Sequence, residues 1–159
     1  MRLLRYLVLF ALVAFVVWPY YHIFRIDNAL GRGDMQALEQ FLDVPAIRRN
    51  YKERLERGLG LRPELRDTDD MARMRQNLQR LGDVALERTI TPEWVRDTLR
   101  QAAAAATDAR APYFMGAVTF AFFDSYDRFL IRLGRLGRDA SHVRMGFRDW
   151  TWRITDIIR

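Results

Sequence analysis

Cysteine is absent from the 159 residues, which excludes disulfide frameworks and thiolate metal sites and removes the thiol nucleophile. Histidine occurs only at His22 and His142, and serine only at Ser125 and Ser141. Two isolated histidines do not build a zinc site. Ser125 and Ser141 fall in predicted turns with no Gly-x-Ser-x-Gly context, and Ser141 and His142, as neighbours on a strand, point to opposite faces and make no dyad. Gly31-Arg32-Gly33 lacks the strand and the spacing that a phosphate loop or dinucleotide fingerprint requires. No catalytic residue, cofactor or metal site is expected, and the chain reads as non-enzymatic.

Lysine is nearly missing too: of 26 basic residues only Lys52 is not arginine, a compositional habit more than designed phosphate recognition. The net charge of +6 suggests nucleic acid or lipid until it is divided along the chain. Residues 1–24 hold two Arg and no acid, residues 25–100 are almost balanced, and residues 101–159 carry nine basic against six acidic side chains. A solvated surface accounts for this distribution, and no nucleic-acid partner is expected.

Charge is absent altogether from Tyr6 to Phe24. As a helix this run is roughly 28 Å long at ~1.5 Å per residue, close to a hydrocarbon core of about 30 Å. Its Leu, Val and Phe residues each favour insertion by ~0.3–0.6 kcal/mol, about 3–5 kcal/mol together. Arg2 and Arg5 precede the run, with Arg5 placed to snorkel, and Trp18, Tyr20 and Tyr21 gather at its far end as an aromatic belt does. Pro19 marks a kink or the end of the membrane helix. A cleaved signal peptide and a buried helix of a soluble protein are the rival readings, but the small-x-small cleavage pattern is missing. The expectation is an uncleaved anchor over residues 1–24, with the short head in the cytoplasm and the rest exported.

The remaining residues, 25–159, have the size of one domain with a single core. Gly31-Arg32-Gly33 stops the first helix, Asp34 caps a short helix with Ala37, Leu38, Phe41 and Leu42 on one face, and Asp43 with Pro45 starts a third containing Ile47, Tyr51 and Leu55. Asp67, Asp69 and Asp70 resemble a metal cluster, but they precede a predicted amphipathic helix with Met71, Met74, Leu78 and Leu81. There they cap it and complement its dipole, and the Gly and closing Glu of a calcium loop are absent. Gly82-Asp83 kinks or breaks that helix before Val84 to Ile90. Thr91-Pro92-Glu93 starts another helix, whose buried side holds Trp94, Val95 and Leu99.

From Tyr113 the pattern becomes aromatic and β-branched. Val118 to Phe123 and Tyr126 to Leu133 read as strands around an Asp124-Ser125 turn, Gly134 to Ser141 as a loop, and Val143, Met145 and Phe147 as alternating inward residues. Arg148-Asp149 is the next turn, and Trp150 to Ile157 the closing strand, with Trp152 and Ile154 inward. Helical residues 25–106 followed by strands over 113–159 make an α+β domain, its helices covering one face of an antiparallel meander. Tyr113, Phe114, Phe120, Phe122, Phe123, Tyr126, Phe129, Phe147, Trp150 and Trp152 read mainly as core. If the sheet curls into a cone, some of them line an apolar pocket. Arg128, Arg132, Arg144, Arg148 and Arg153 fall largely on the outer face, where they are solvated or contact an anionic surface.

Pro19-Tyr20-Tyr21, Asn28-Ala29-Leu30, Gly33-Asp34, Ala37-Leu38 and Asp43-Val44-Pro45-Ala46-Ile47-Arg48 resemble the start of the bacterial family called domain of unknown function 2939. Thr91-Pro92-Glu93, Tyr126-Asp127-Arg128-Phe129 and the stretch from Phe147 to Ile157 continue the likeness. The resemblance implies a small membrane-anchored bacterial envelope protein and supplies no activity; with the anchor, the expected location is the inner membrane, single pass, with the soluble domain periplasmic. A weaker likeness is to cystatin-like and nuclear-transport-factor-like cones, some of which are assembly adaptors and others pocket enzymes. The expectation is a binding or scaffolding module, held to the membrane by its helix, with an envelope protein or a lipid as partner. The alternative is a lipid- or small-molecule-binding pocket protein or enzyme.

Overall fold

The computed structural model describes residues 2–58, 82–107, 113–134 and 140–158. Met71, Met74, Leu78 and Leu81, with Asp67, Asp69 and Asp70, lie outside them. The described elements are α1 (Arg2–Arg32), α2 (Met35–Glu39), α3 (Val44–Gly58), α4 (82–89), α5 (Pro92–Thr107), α6 (Phe114–Ala117), β1 (Val118–Ser125), β2 (Arg128–Leu133), β3 (Ser141–Arg148) and β4 (Thr151–Ile158). The strands form one antiparallel meander in the order β1-β2-β3-β4. The chain is α+β, with a long apolar amino-terminal helix, as its pattern predicts.

Helix α1 runs unbroken through Pro19, where a kink or an end was expected. Pro19 has no N–H to give to the Phe15 carbonyl, a loss that ordinarily breaks a helix. Here packed residues stand on both sides of the defect: Phe15 one turn before it, and His22 and Ile23 one turn after it. Tertiary contact holds the helix across the gap. The domain boundary drawn at residue 24 therefore falls inside a continuous helix whose residues on the anchor side already touch the domain.

The end of α1 follows local chemistry. Gly33 adopts φ +70°, its N–H donates to Leu30 O at 3.3 Å, and Asp34 N–H donates to Ala29 O at 3.0 Å, the paired bonds of a Schellman cap. Arg100 adds a donor to Leu30 O. Asp34 and Asp43 then cap α2 and α3, accepting from Ala37 N and Ala46 N at 3.0 Å each. Arg48 of α3 donates to Glu87 O and Ile90 O, both at 3.0 Å, placing a cation at the carboxyl end of α4.

The core lies between the inner face of the sheet and the helices. Phe129, Ile131, Leu133, Val143, Met145, Trp152 and Ile154 are fully buried there, with Ile26 of α1 and Val95 and Leu99 of α5. Trp152 is central: its ring lies within 5.2–6.4 Å of those of Phe15, Phe123, Phe129 and Phe147. Truncating Trp152 to alanine is expected to cost about 3–5 kcal/mol, read as a lower melting temperature of the detergent-solubilised chain. The same change at exposed Trp150 is expected to stay within about 0.5 kcal/mol.

Strict alternation along β4 puts Asp156 on the side of Trp152 and Ile154. A register shift where Arg144 and Met145 of β3 meet β4 reverses the phase. Ile157 turns inward and pairs with Val143, while Asp156 stands opposite Arg144. An extra residue in one strand of a pair has this effect. The free edge of β4 is covered by the α2–α3 connection: Asp43 N–H donates to Ile154 O at 2.9 Å, and Ile154 N–H to Phe41 O at 2.7 Å. Both hairpin turns sit later than the pattern suggests, at Tyr126–Asp127 and Asp149–Trp150. Trp150 is thus a turn residue and not the first residue of β4.

Candidate functional site

Helix α3 lies alongside β4 and is fastened to it by side chains. Asn50 donates to Thr155 O at 2.8 Å, Arg54 donates to Ile157 O at 3.0 Å, and Arg54 also pairs with Asp156. Between α3 and the outer face of the sheet a cleft of about 280 Å³ remains. Ala46, Arg49 and Asn50 line it from α3, Arg128 from β2, Arg144, Gly146 and Arg148 from β3, Thr155 from β4, and Asp127 from the first turn. Gly146 keeps the floor open, since a Cβ there would come 3.0 Å from Thr155 Cγ2.

Four guanidinium groups thus face one carboxylate across the cleft. Arg144 is held by Asp156 at 3.7 Å, and its buried Nε has no hydrogen-bond partner. Arg128 stands 3.8 Å from Asp124. Arg49 and Arg148 have no carboxylate partner among the described residues. Such a lining suits a phosphate or carboxylate, which several guanidinium forks bind by charge-assisted hydrogen bonds. Among the described residues no group of metal-ligating side chains occurs.

Asp156 is the anchor of this arrangement, buried and shared between Arg54 and Arg144. Its replacement by alanine leaves two cations without their acceptor. Because both arginines stay partly exposed, the expected cost is about 2 kcal/mol, below that of breaking a fully buried pair. Denaturant unfolding of the variant checks this.

Of the five arginines singled out from the sequence, the cleft collects Arg128, Arg144 and Arg148. Arg132 lies elsewhere, its guanidinium 5.2 Å over the Phe120 ring and its Nε donating to Thr119 Oγ1 at 3.3 Å. Arg153 shares the outer face, opposite Gly146, with its buried Nε unpartnered. Arg49 was not singled out, because only the docking of α3 on β4 brings it to the sheet. Among the belt residues, Tyr20 has a second commitment: its hydroxyl donates to Ala121 O at 3.0 Å and its ring packs on Phe129 at 5.1 Å. Trp18 meets Phe147 at 6.5 Å, Tyr21 accepts from Arg25 at 3.1 Å, and Arg5 is exposed.

Among the ten aromatic residues from Tyr113 onward, five do not belong to the core. Tyr113, Phe120, Phe122, Tyr126 and Trp150 are exposed. The inner-face rings pack against one another and against Phe15 and Tyr20 of α1.

The family model described as Protein of unknown function (DUF2939) matches residues 8–98. No curated protein and no solved structure matches the chain.

Proposed function

The chain belongs to the DUF2939 family, and we propose that it is a bacterial envelope protein in which α1 serves both as bilayer anchor and as core helix of a binding module. The head with Arg2 and Arg5 stays in the cytoplasm, and the domain faces the periplasm. The arginine cleft between α3 and the sheet receives an anionic group of the partner.

The observation that carries this reading is the change in surroundings along one unbroken helix. From Leu3 to Val13 its large apolar side chains are exposed on every side. A helix that is apolar all round and uncovered by protein suits lipid and not water. From Phe15 onward the same helix enters the domain, with Pro19, His22, Ile23, Ile26, Ala29 and Leu30 buried. Cleavage after the apolar run would remove Phe15, Pro19, His22 and Ile23 from the folded domain, which argues against a discarded signal sequence.

Alkaline extraction of membranes from cells expressing the full chain, with the intact mass of the retained species, tests this. The expected result is a chain of unprocessed length that resists extraction. Release by alkali, or a mature form lacking α1, would overturn the proposal.

A further inference from the structure

We propose that the cleft between α3 and the sheet is a binding site for a phosphate monoester, whose doubly charged end group sits over Gly146 between Arg49, Arg128, Arg144 and Arg148. This rests on the reading of the cleft as the place that receives an anionic group, and names that group. It does not depend on how α1 stands in a bilayer.

The sheet sets a cross of arginines around one glycine. On β3, Arg144 and Arg148 lie two residues to either side of Gly146, on the same face by the period of a strand and each about 7 Å away. Across the strands, Arg128 of β2 and Arg153 of β4 are the register partners of Gly146, and residues so opposed stand about 4.5–5.5 Å apart. Gly146 puts no side chain in the middle of the cross, and an added Cβ would come 3.0 Å from Thr155 Cγ2. The centre is therefore a floor. Helix α3 adds Arg49 from the facing wall.

Like charges placed side by side on a sheet repel, and the neighbouring carboxylates do not balance these. Buried Asp156 is shared between Arg144 and Arg54, and Asp124 stands 3.8 Å from Arg128. Arg49, Arg148 and Arg153 have no carboxylate partner among the described residues. Set against Asp127, the acid of the lining, this surplus matches a doubly negative ligand. The mobility of the arginines is divided to suit capture. Asp156 holds Arg144 in place, while Arg49, Arg128 and Arg148 are exposed and free to close on a ligand from three strands of the lining: α3, β2 and β3.

A phosphate monoester meets this demand and a carboxylate does not. Near neutral pH its end group carries a charge of about −1.5 to −2 and three acceptor oxygens, arranged so that guanidinium forks arriving from three directions each find one. A carboxylate brings one charge and two oxygens in a single plane, which one fork satisfies. A phosphate diester has lost both the second charge and the third terminal oxygen. The volume of about 280 Å³ lies just under the range of about 300–1,000 Å³ usual for small-molecule pockets. It holds the phosphate and the first atoms of its ester, with the remainder outside. Such a group ends soluble esters and some lipids alike, and the monoester is the chemistry common to both.

Isothermal titration calorimetry of the detergent-solubilised full chain at low salt tests this. The probes are inorganic phosphate, glycerol 3-phosphate, phosphatidic acid in the same micelles, dimethyl phosphate and acetate. Inorganic phosphate and at least one of the two monoesters are expected to bind about tenfold or more tighter than dimethyl phosphate and acetate. Whichever of glycerol 3-phosphate and phosphatidic acid binds tighter identifies the source of the ester. Arg49→Gln/Arg148→Gln changes two exposed side chains and is expected to lose about tenfold or more in affinity for inorganic phosphate. Arg57→Gln/Arg132→Gln removes the same charge outside the cleft and is expected to stay within about twofold. If acetate binds as tightly as phosphate and only the Arg49 and Arg148 changes weaken it, the phosphate assignment is overturned and the anion cleft stands. If no probe binds, or the two double variants lose affinity equally, the cleft and this inference fall together.

Discussion

Placing arginine at both Leu9 and Val13 is expected to move the chain out of the alkali-resistant membrane fraction. An arginine near a helix centre opposes insertion by ~2.5–3.5 kcal/mol, so two oppose it by about 5–7 kcal/mol. The apolar residues of the run favour it by only about 3–5 kcal/mol in total. One arginine roughly offsets the segment, and two reverse it. Both side chains are exposed and touch nothing in the domain core, so the double variant separates membrane affinity from folding. If Leu9→Arg/Val13→Arg stays in the resistant fraction, α1 is not the element that holds the protein there. Leu9→Ala/Val13→Ala, which keeps the segment apolar, is expected to remain membrane-bound.

The second large effect comes from shortening the chain, and its size depends on where the cut falls. Removing residues 1–14 deletes the stretch of α1 that precedes its first packed residue, Phe15, so the remaining domain is expected to fold. Removing residues 1–24 deletes Phe15, Pro19, His22 and Ile23 as well. At roughly 1.5–3 kcal/mol for each buried large apolar side chain, Phe15 and Ile23 account for about 3–6 kcal/mol, and the lost turns of α1 add to this. Against a total stability of about 5–15 kcal/mol, the shorter chain is expected to be unfolded or barely folded. Circular dichroism melting of the two truncations decides the matter. Equal melting temperatures would show that the amino half of α1 contributes nothing to the core.

Helix α1 is thus a structural part of the domain and not a tether on a linker. In the proposed membrane reading, a module built this way holds a set orientation to the bilayer, because rotating the domain means rotating α1 with it. That rigidity sets the direction in which the arginine cleft opens.

Local chemistry was legible in the residues themselves. The charge-free run, the glycine stop at Gly33, the caps at Asp34, Asp43 and Thr91, the α+β order and the inward set of β2 and β3 each depend on neighbours within a few positions. So does the separation of Phe129, Ile131 and Leu133 from Arg128 and Arg132, which the two-residue period of a strand enforces. Tertiary structure decided the rest. Nothing local distinguishes Phe15, which packs on three aromatic rings, from Phe10, which faces outward, because both sit in the same apolar run. The bulge in β4 that turns Asp156 out and Ile157 in answers to the pairing with β3. Arg49 joins Arg128, Arg144 and Arg148 only because α3 docks along β4. Whether an aromatic side chain is core or surface is settled by what the chain folds against it, and so Trp152 lies at the centre of the core while Trp150, two residues earlier, stands at its rim.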